Sequence, residues 1–327
     1  MLHPSSLVPA FALVTLSIAA CSGSSTAAPP PRDAGAGDAR VPDARVADAS
    51  SADAHTGTAA VGGSESGTGG SGAGGAGGTG GSAGSDSGVA RDWYRPAVGS
   101  SWHIQYAGNL DTTIDALNYD IDLYDTPVET IDALHAKGRK VICYFDTAYE
   151  GWRPDAKKLE PYKGNPLDGW PDQFWVDIRQ PAVFEVMLSR LDMAKEKHCD
   201  AVDPDDVDAR SNNPGFPLTA QDQQSFIIKL AKAAHARGMG VGLKNDLEEV
   251  EALVEHVDFQ VNEECFENQE CDELAPFIRA GKPVFNVEYT GDSLAERGEE
   301  ICPDAVRRKF STLIKRLDLN AEQYVCR

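Results

Sequence analysis

Acidic side chains recur in this sequence where short β-rich runs give way to loops. Gln105 and Tyr106 close the run WHIQY (102–106), and Asp122 and Asp125 fall at the end of YDIDL (119–123) and just beyond it. Tyr144 and Asp146 end KVICYF (140–145) and its first following residue, and Asp203, Asp205, Asp206 and Asp208 crowd the end of DAVD (200–203). Lys244, Asn245 and Asp246 follow GVGL (240–243); Glu263 and Glu264 follow DFQVN (258–262); Glu288 and Tyr289 follow PVFNV (283–287). Carboxylates gathered in one place repel one another. Such a set points to acid–base chemistry, a bound cation or a cationic ligand.

Other chemistries find less support. Asp203, Asp205 and Asp208 are a conceivable cation site, but their spacing is not that of a calcium-binding loop and no glycine sits at the turn. No histidine triad for zinc appears, and His135, His198, His235 and His256 fall near the ends of helical stretches, where an imidazolium suits the dipole. There is no GxSxG nucleophile elbow. No metal and no cofactor is expected.

The elements that would position these residues alternate regularly. The seven runs above and an eighth, QYVC (323–326), read as strands, several of them apolar on both faces, as covered parallel strands must be. Helical stretches lie between them at 127–137, 181–197, 219–237, 246–256, 273–280 and 304–317. Pro127 and Thr219 mark starts, Gly138 and Gly238 mark stops, and Asp125 and Asp246 are placed to cap. Eight strands alternating with helices suggest an α/β fold closed into a (β/α)8 TIM barrel. An open doubly wound sheet is the competing architecture, but no GxGxxG or phosphate loop supports it. In such barrels the strand C-termini carry function. The expected substrate-binding set is therefore Gln105, Tyr106, Asp122, Tyr144, Asp146, Asp203, Asp208, Asn245, Glu264 and Tyr289, with Trp102 and Trp152 as further rings that could stack on a flat ligand.

Composition divides the chain. All five Trp and all nine Tyr lie beyond residue 92, so only the later part has the large apolar side chains a core needs. The net charge of −21 falls mostly on that part. With no Lys/Arg cluster, no nucleic-acid partner is expected and a cationic one is favoured. Residues 1–21 read as a lipoprotein-type signal peptide: LVPAFALVTLSIAA is too short for an ordinary membrane span and leads into Cys21, the expected lipidation site. Residues 22–92, with Asp every five residues from Asp33 to Asp53 and then a Gly/Ser tract, read as a disordered tether reaching roughly 45 Å. Residues 93–327 form the barrel. The expected location is the bacterial envelope, with a lipid anchor as the membrane attachment and a monomeric state.

From about 102 to 327 the chain resembles glycoside hydrolase family 114, the endo-α-1,4-polygalactosaminidases. The resemblance is carried by YDIDLYDT (119–126), KVICYFDTAYEGWRPDA (140–156), CDAVDPDDVDA (199–209), GLKND (242–246) and VNEECFE (261–267). It implies a (β/α)8 barrel that cleaves α-1,4-linked galactosamine/N-acetylgalactosamine polymers. It places the catalytic pair on Asp205 and Glu263, with Asp203 and Glu264 as neighbouring alternatives. Asp146 departs from the family pattern, which more often has a small polar residue there. A carboxylate pair is what glycoside cleavage needs, one to protonate the leaving oxygen and one to attack or to activate water. The expected function is an endo-acting, retaining glycosidase on a cationic amino-sugar polysaccharide. Its alternatives are an inactive polysaccharide-binding lipoprotein on the same barrel and a cation-binding structural domain.

Apart from Cys21 there are six cysteines, which allow 15 pairings. The expected ones are Cys265–Cys271 beside Glu263 and Cys302–Cys326; Cys143 and Cys199, on the neighbouring third and fourth strands, could also pair.

Overall fold

In the computed structural model, which describes residues 93–327, runs of β-branched and aromatic residues pair side by side in parallel. In order around the barrel they are β1 (Trp102–Gln105), β2 (Asn118–Asp122), β3 (Lys140–Asp146), β7 (Ala201–Asp205), β8 (Gly240–Lys244), β9 (Phe259–Glu263), β10 (Val284–Tyr289) and β11 (Ser311–Lys315). All residues of β1, β2 and β8 are buried, as expected of strands with a core on either side. The ring closes where β1 meets β11: Trp102 Nε1 donates to Ser311 O at 2.8 Å, Ser311 Oγ donates to Ser100 O at 2.8 Å, and Tyr106 N donates to Leu319 O at 3.0 Å.

Strand periodicity sorts the side chains into two cores. Trp102, Ile104, Ile142, Ala201, Phe259, Val261, Phe285, Val287 and Leu313 pack together inside the barrel. The alternate residues, among them Tyr119, Ile121, Val141, Cys143, Val202, Val241 and Leu243, pack outward against the helices. Gly242 is small because it faces inward: a Cβ there would lie 2.6 Å from the Phe259 ring.

The principal helices are α1 (Val128–Ala136), α3 (Pro181–Glu196), α4 (Ala220–Ala236) and α7 (Leu294–Arg308). Short helices α5 (Val250–Leu253) and α6 (Ala275–Arg279), each extended by a 3-10 turn, fill the remaining gaps. α4 begins with a capping box, in which the Thr219 side chain accepts from Asp222 N and Asp222 returns the bond to the Thr219 amide. α3 starts with Pro181, and α7 is capped by Ser293. Asp125 and Asp246 do not cap. Asp125 reaches Arg153 at 3.4 Å, and Asp246 accepts from Gln223 Nε2 at 2.8 Å.

Two departures from expectation concern the C-terminus and the segment after β3. The eighth barrel strand is Ser311–Lys315, and 323–326 supplies only β12 (Tyr324–Val325), an antiparallel strip on β11. The helix expected over 304–317 ends at Arg308, where Lys309 turns left-handed at φ 65°. Between β3 and α3 the chain adds a small sheet of β4 (Tyr149–Glu150), β5 (Lys163–Leu167) and β6 (Trp170–Val176), with α2 (Ala156–Leu159) inside the insertion.

Both expected disulfides are present, Cys265–Cys271 and Cys302–Cys326, with Cα separations of 4.8 and 5.0 Å, and Cys143 and Cys199 also pair, at 5.9 Å. Cys21 and the tether lie outside the described residues.

Candidate active site

Alternation along the strands turns a line of polar residues toward the barrel axis at its C-terminal end: Asp120 from β2, Tyr144 and Asp146 from β3, Asp203 and Asp205 from β7, Lys244 from β8, Glu263 from β9 and Tyr289 from β10. The chain bends sharply straight after three of these strands. Asp206, Asn245, Asp246 and Glu264 all have left-handed backbones, with φ of 54°, 47°, 48° and 59°. Asn and Asp tolerate that region, whereas Glu is strained there. Such strain is held by its surroundings. Glu288, on β10, accepts from Phe266 N at 3.0 Å and Glu267 N at 3.3 Å, and the Cys265–Cys271 disulfide closes the same loop.

The centre of the mouth is Lys244. Its ammonium lies 2.8 Å from Asp205 Oδ2 and 3.4 Å from Glu263 Oε2, so one cation serves both carboxylates. Tyr144 donates to Asp205 Oδ2 at 3.1 Å, and the Asp206 amide donates to Asp205 Oδ1 at 2.7 Å. Tyr289 donates to Glu263 Oε1 at 2.5 Å, Asn245 Nδ2 donates to Oε2 at 3.1 Å, and the Glu263 amide donates to Asn245 Oδ1 at 2.9 Å. Both carboxylates are therefore fixed from several sides. Burial works against the charge on Lys244, but Asp205, Glu263 and Asp203 outweigh it and hold the group as an ammonium. Burial pushes the phenols of Tyr106, Tyr144 and Tyr289 well up, keeping them as donors.

The mouth has an acidic flank and an acidic floor. On the flank, Asp146 and Asp206 share a side-chain hydrogen bond, and burial raises both. Burial also takes Asp208 to about 6 and Asp246 to about 8, with neighbouring carboxylates adding to each. Glu264 is raised by burial and by Glu288 and Glu263. On the floor, Tyr106 donates to Asp120 Oδ1 at 3.1 Å and its ring lies 4.2 Å from that of Tyr144. Asp203 is fully buried there and raised by burial to about 7.

The structure thus brings together Asp205, Glu263, Tyr106, Tyr144, Asn245 and Tyr289 around Lys244, with Asp203 beneath and Asp146, Asp208 and Glu264 to the sides. Two expected binding residues stand apart. Gln105 is consumed by the loop after β1: its Nε2 donates to Ala107 O and Asn109 O, both at 2.9 Å, and its Oε1 accepts from Asp111 N at 3.0 Å. Asp122 accepts from Arg153 at 2.7 Å and from the amides of Tyr124 and Asp125, and so anchors the insertion that Arg153 belongs to. Trp102 is core, whereas Trp152 is 49% exposed on that insertion. Lys244 and Asp120 were not among the expected site residues. The signal for both was present: a lysine at a strand end flanked by acid-bearing strands, and an acid at an inward position in the middle of YDIDL. Among the described residues, no group of three or more His, Cys, Asp or Glu side chains is arranged to hold a metal ion, Asp203, Asp205 and Asp208 included.

A closed parallel barrel whose mouth holds two fixed carboxylates has the architecture of a (β/α)8 glycoside hydrolase. The chain belongs to glycoside-hydrolase family GH114, whose model matches residues 84–327. It is similar to Aspergillus fumigatus Ega3, solved in complex with galactosamine, at 43% identity and a TM-score of 0.69 over 71% of this chain and 97% of that one. The glycoside hydrolase domain of PelA from Pseudomonas aeruginosa shares the fold at 12% identity and a TM-score of 0.57, covering 69% of this chain and 98% of that one. No curated protein matched the chain.

Proposed function

We propose that this protein is an endo-acting, retaining glycosidase that cleaves α-1,4-linked galactosamine polymers, partly N-acetylated, with Asp205 as nucleophile and Glu263 as acid/base. The observation that carries the reading is the shared ammonium. Because Lys244 lies 2.8 Å from one carboxylate and 3.4 Å from the other, their nearest oxygens are no farther apart than those contacts laid end to end. A bound on the nearest oxygens accommodates the ~5–5.5 Å spacing of a retaining pair, and the configuration of the first product decides between it and the ~6.5–9.5 Å of an inverting pair. Asp205, oriented by Tyr144, Lys244 and the Asp206 amide, attacks the anomeric carbon as Glu263 protonates the departing glycosidic oxygen. Glu263 then takes a proton from the water that releases the glycosyl-enzyme. Carboxylates around the mouth favour a polymer bearing ammonium groups, and the galactosamine bound by Ega3 supports an amino sugar.

The test is product analysis on a panel of galactosamine polymers of graded acetylation. Oligomers appearing as new reducing ends, with the first-formed anomer by NMR keeping the substrate's configuration, are expected. Tight binding without new reducing ends would instead mark an inactive polysaccharide-binding protein, and the opposite anomer would make the enzyme inverting. The sequence before residue 93 further supports export with a lipid on Cys21. Cys21→Ser is expected to move the protein from the membrane fraction to the soluble one, and an unchanged distribution would remove the anchor from the reading.

A further inference from the structure

Asp203 faces inward on β7, two residues before Asp205, and is 0% exposed. Neither of its carboxyl oxygens has a hydrogen-bond partner. Asp120 on β2 is likewise fully buried, with Oδ1 bonded to Tyr106 and Oδ2 unpartnered. Oxygens closed to water are closed to a sugar as well, so Asp203 is not a substrate contact, although its place at a strand end suggests one. An ionised carboxylate without a donor or counter-ion is among the most unfavourable groups a protein interior can hold.

The groups around Asp203 narrow its state. Asp120 comes from β2, Tyr144 from β3, Lys244 from β8 and Glu263 from β9, with Asp205 above it on the same strand and the Tyr106 and Tyr289 phenols beyond. Lys244 is the cation that acts on Asp203, and it is already held by Asp205 and Glu263. Ionising Asp203 would set a further carboxylate against that ammonium, from below.

We propose that Asp203 is a positioning residue that carries a proton in the active enzyme, leaving Lys244 aimed upward at Asp205 and Glu263 instead of being drawn into the barrel. Its kinetic consequence rests on the glycosidase reading; its protonation does not. Burial sets its titration near 7. Raising the pH through that value ionises Asp203, displaces Lys244 from the catalytic pair, and lowers turnover.

Two measurements on the full chain test this. The first is kcat against pH at saturating galactosamine polymer, because kcat reports the enzyme–substrate complex. Wild type is expected to lose roughly tenfold per pH unit beyond its alkaline limb. Asp203→Asn, a permanently neutral isostere, is expected to keep its acid-side kcat within about threefold, since it removes no group that touches the substrate, and to carry its alkaline limb to higher pH, where loss of the general acid's proton alone limits turnover. The second is pH-difference infrared spectroscopy of the protein alone. A buried protonated-carboxyl component should titrate near 7 in wild type, and the wild-type-minus-Asp203→Asn difference, in which Glu150 cancels, should retain it as a band. Asp203→Ser, smaller and also neutral, carries the same expectations if the amide variant does not fold. An unchanged alkaline limb, inactivity of the neutral variants at every pH, or no such band would each overturn the proposal. Wild type that binds polymer without cutting it would sink the glycosidase reading, while the infrared band would still decide the proton on Asp203.

Discussion

Lys244 and Asp205, on adjacent strands, form an ion pair of 2.8 Å at the top of the barrel, with the lysine side chain 3% and the aspartate 21% exposed. The pair is no ornament of a stable core, because Glu263 draws on the same ammonium at 3.4 Å. Replacing Lys244 with Met keeps the bulk of the stem but leaves the two carboxylates to repel each other. Lys244→Met is expected to lower kcat/KM by about 10²–10³, the scale of losing a fixed electrostatic group. It should also destabilise by up to about 3 kcal/mol, the lower end for breaking a buried pair. Steady-state kinetics and urea unfolding on one preparation read both. Unchanged kinetics would remove Lys244 from the site.

The catalytic assignment has an internal control. Asp205→Asn and Glu263→Gln should each cut turnover by about 10²–10⁴ or more, with folding intact because neither change alters volume much. Asp206 adjoins Asp205, but its carboxyl bonds to Asp146 and its backbone is left-handed at φ 54°. Asn accepts that conformation and its amide can still donate to Asp146. Asp206→Asn should therefore retain activity. The reverse pattern, in which Asp206→Asn is dead and Asp205→Asn active, would shift the nucleophile by one residue.

The gathering of acids at the strand ends was legible in the sequence, because function in a barrel collects there, and seven of the eight strands were legible as well. Parallel strands with covered faces are apolar runs bounded by glycine or polar turns, as in KVICYF and GVGL. Ser311–Lys315 escaped notice because only Lys309 and Phe310 separate it from α7, and the helix ends on a left-handed lysine instead of the usual glycine. The β5–β6 hairpin was hidden by prolines within KGNPL and WPDQFWV, which argue against strands. Gln105 and Asp122 were misplaced for another reason. A strand-end position does not reveal whether loop amides or an arginine from a later insertion will occupy the polar group. Acids alone do not mark Lys244, the cation that such a crowd of carboxylates requires.

Stability should fall as the solution becomes alkaline. Burial raises Asp203 and Glu150 to about 7, Asp208 to about 6 and Asp246 to about 8. For each, the contribution to folding is fully present below the ordinary carboxylate pKa of about 4 and is lost as pH rises through the folded value. Asp155 and Asp258 are shifted the other way: burial raises them, but hydrogen bonds from Arg190 and Tyr124, and from His235 and Trp93, prevail and lower them. Their contributions are lost in acid. The balance places maximum stability on the acid side of neutrality, with Tm declining from about pH 5 to pH 8. Asp246→Asn should flatten the upper part of that decline. A Tm that rises over this range in thermal unfolding would contradict the assignment of these groups as buried acids.

The disulfides separate stability from activity. On a loop-entropy model, a bridge spanning 56 residues, as Cys143–Cys199 does, stabilises by about 4 kcal/mol, and one spanning six, as Cys265–Cys271 does, by about 2 kcal/mol. The longer bridge ties β3 to the start of β7 on the outer face of the barrel, away from the reacting groups. The shorter one closes the loop that begins at Glu264, whose left-handed backbone aims Glu263 at the mouth. Replacing Cys143 and Cys199 with Ala should therefore lower the urea midpoint more, yet leave kcat near wild type at temperatures where the variant is folded. Replacing Cys265 and Cys271 should lower the midpoint less and reduce kcat by about tenfold or more, because a displacement of about 1 Å at a catalytic group has effects of that order. Glu288→Gln, which weakens the acceptor for the Phe266 and Glu267 amides in the same loop, should reduce kcat in the same direction. If the short-loop variant keeps full kcat, the loop does not aim Glu263, and its strained turn must be held by the Glu288 hydrogen bonds alone.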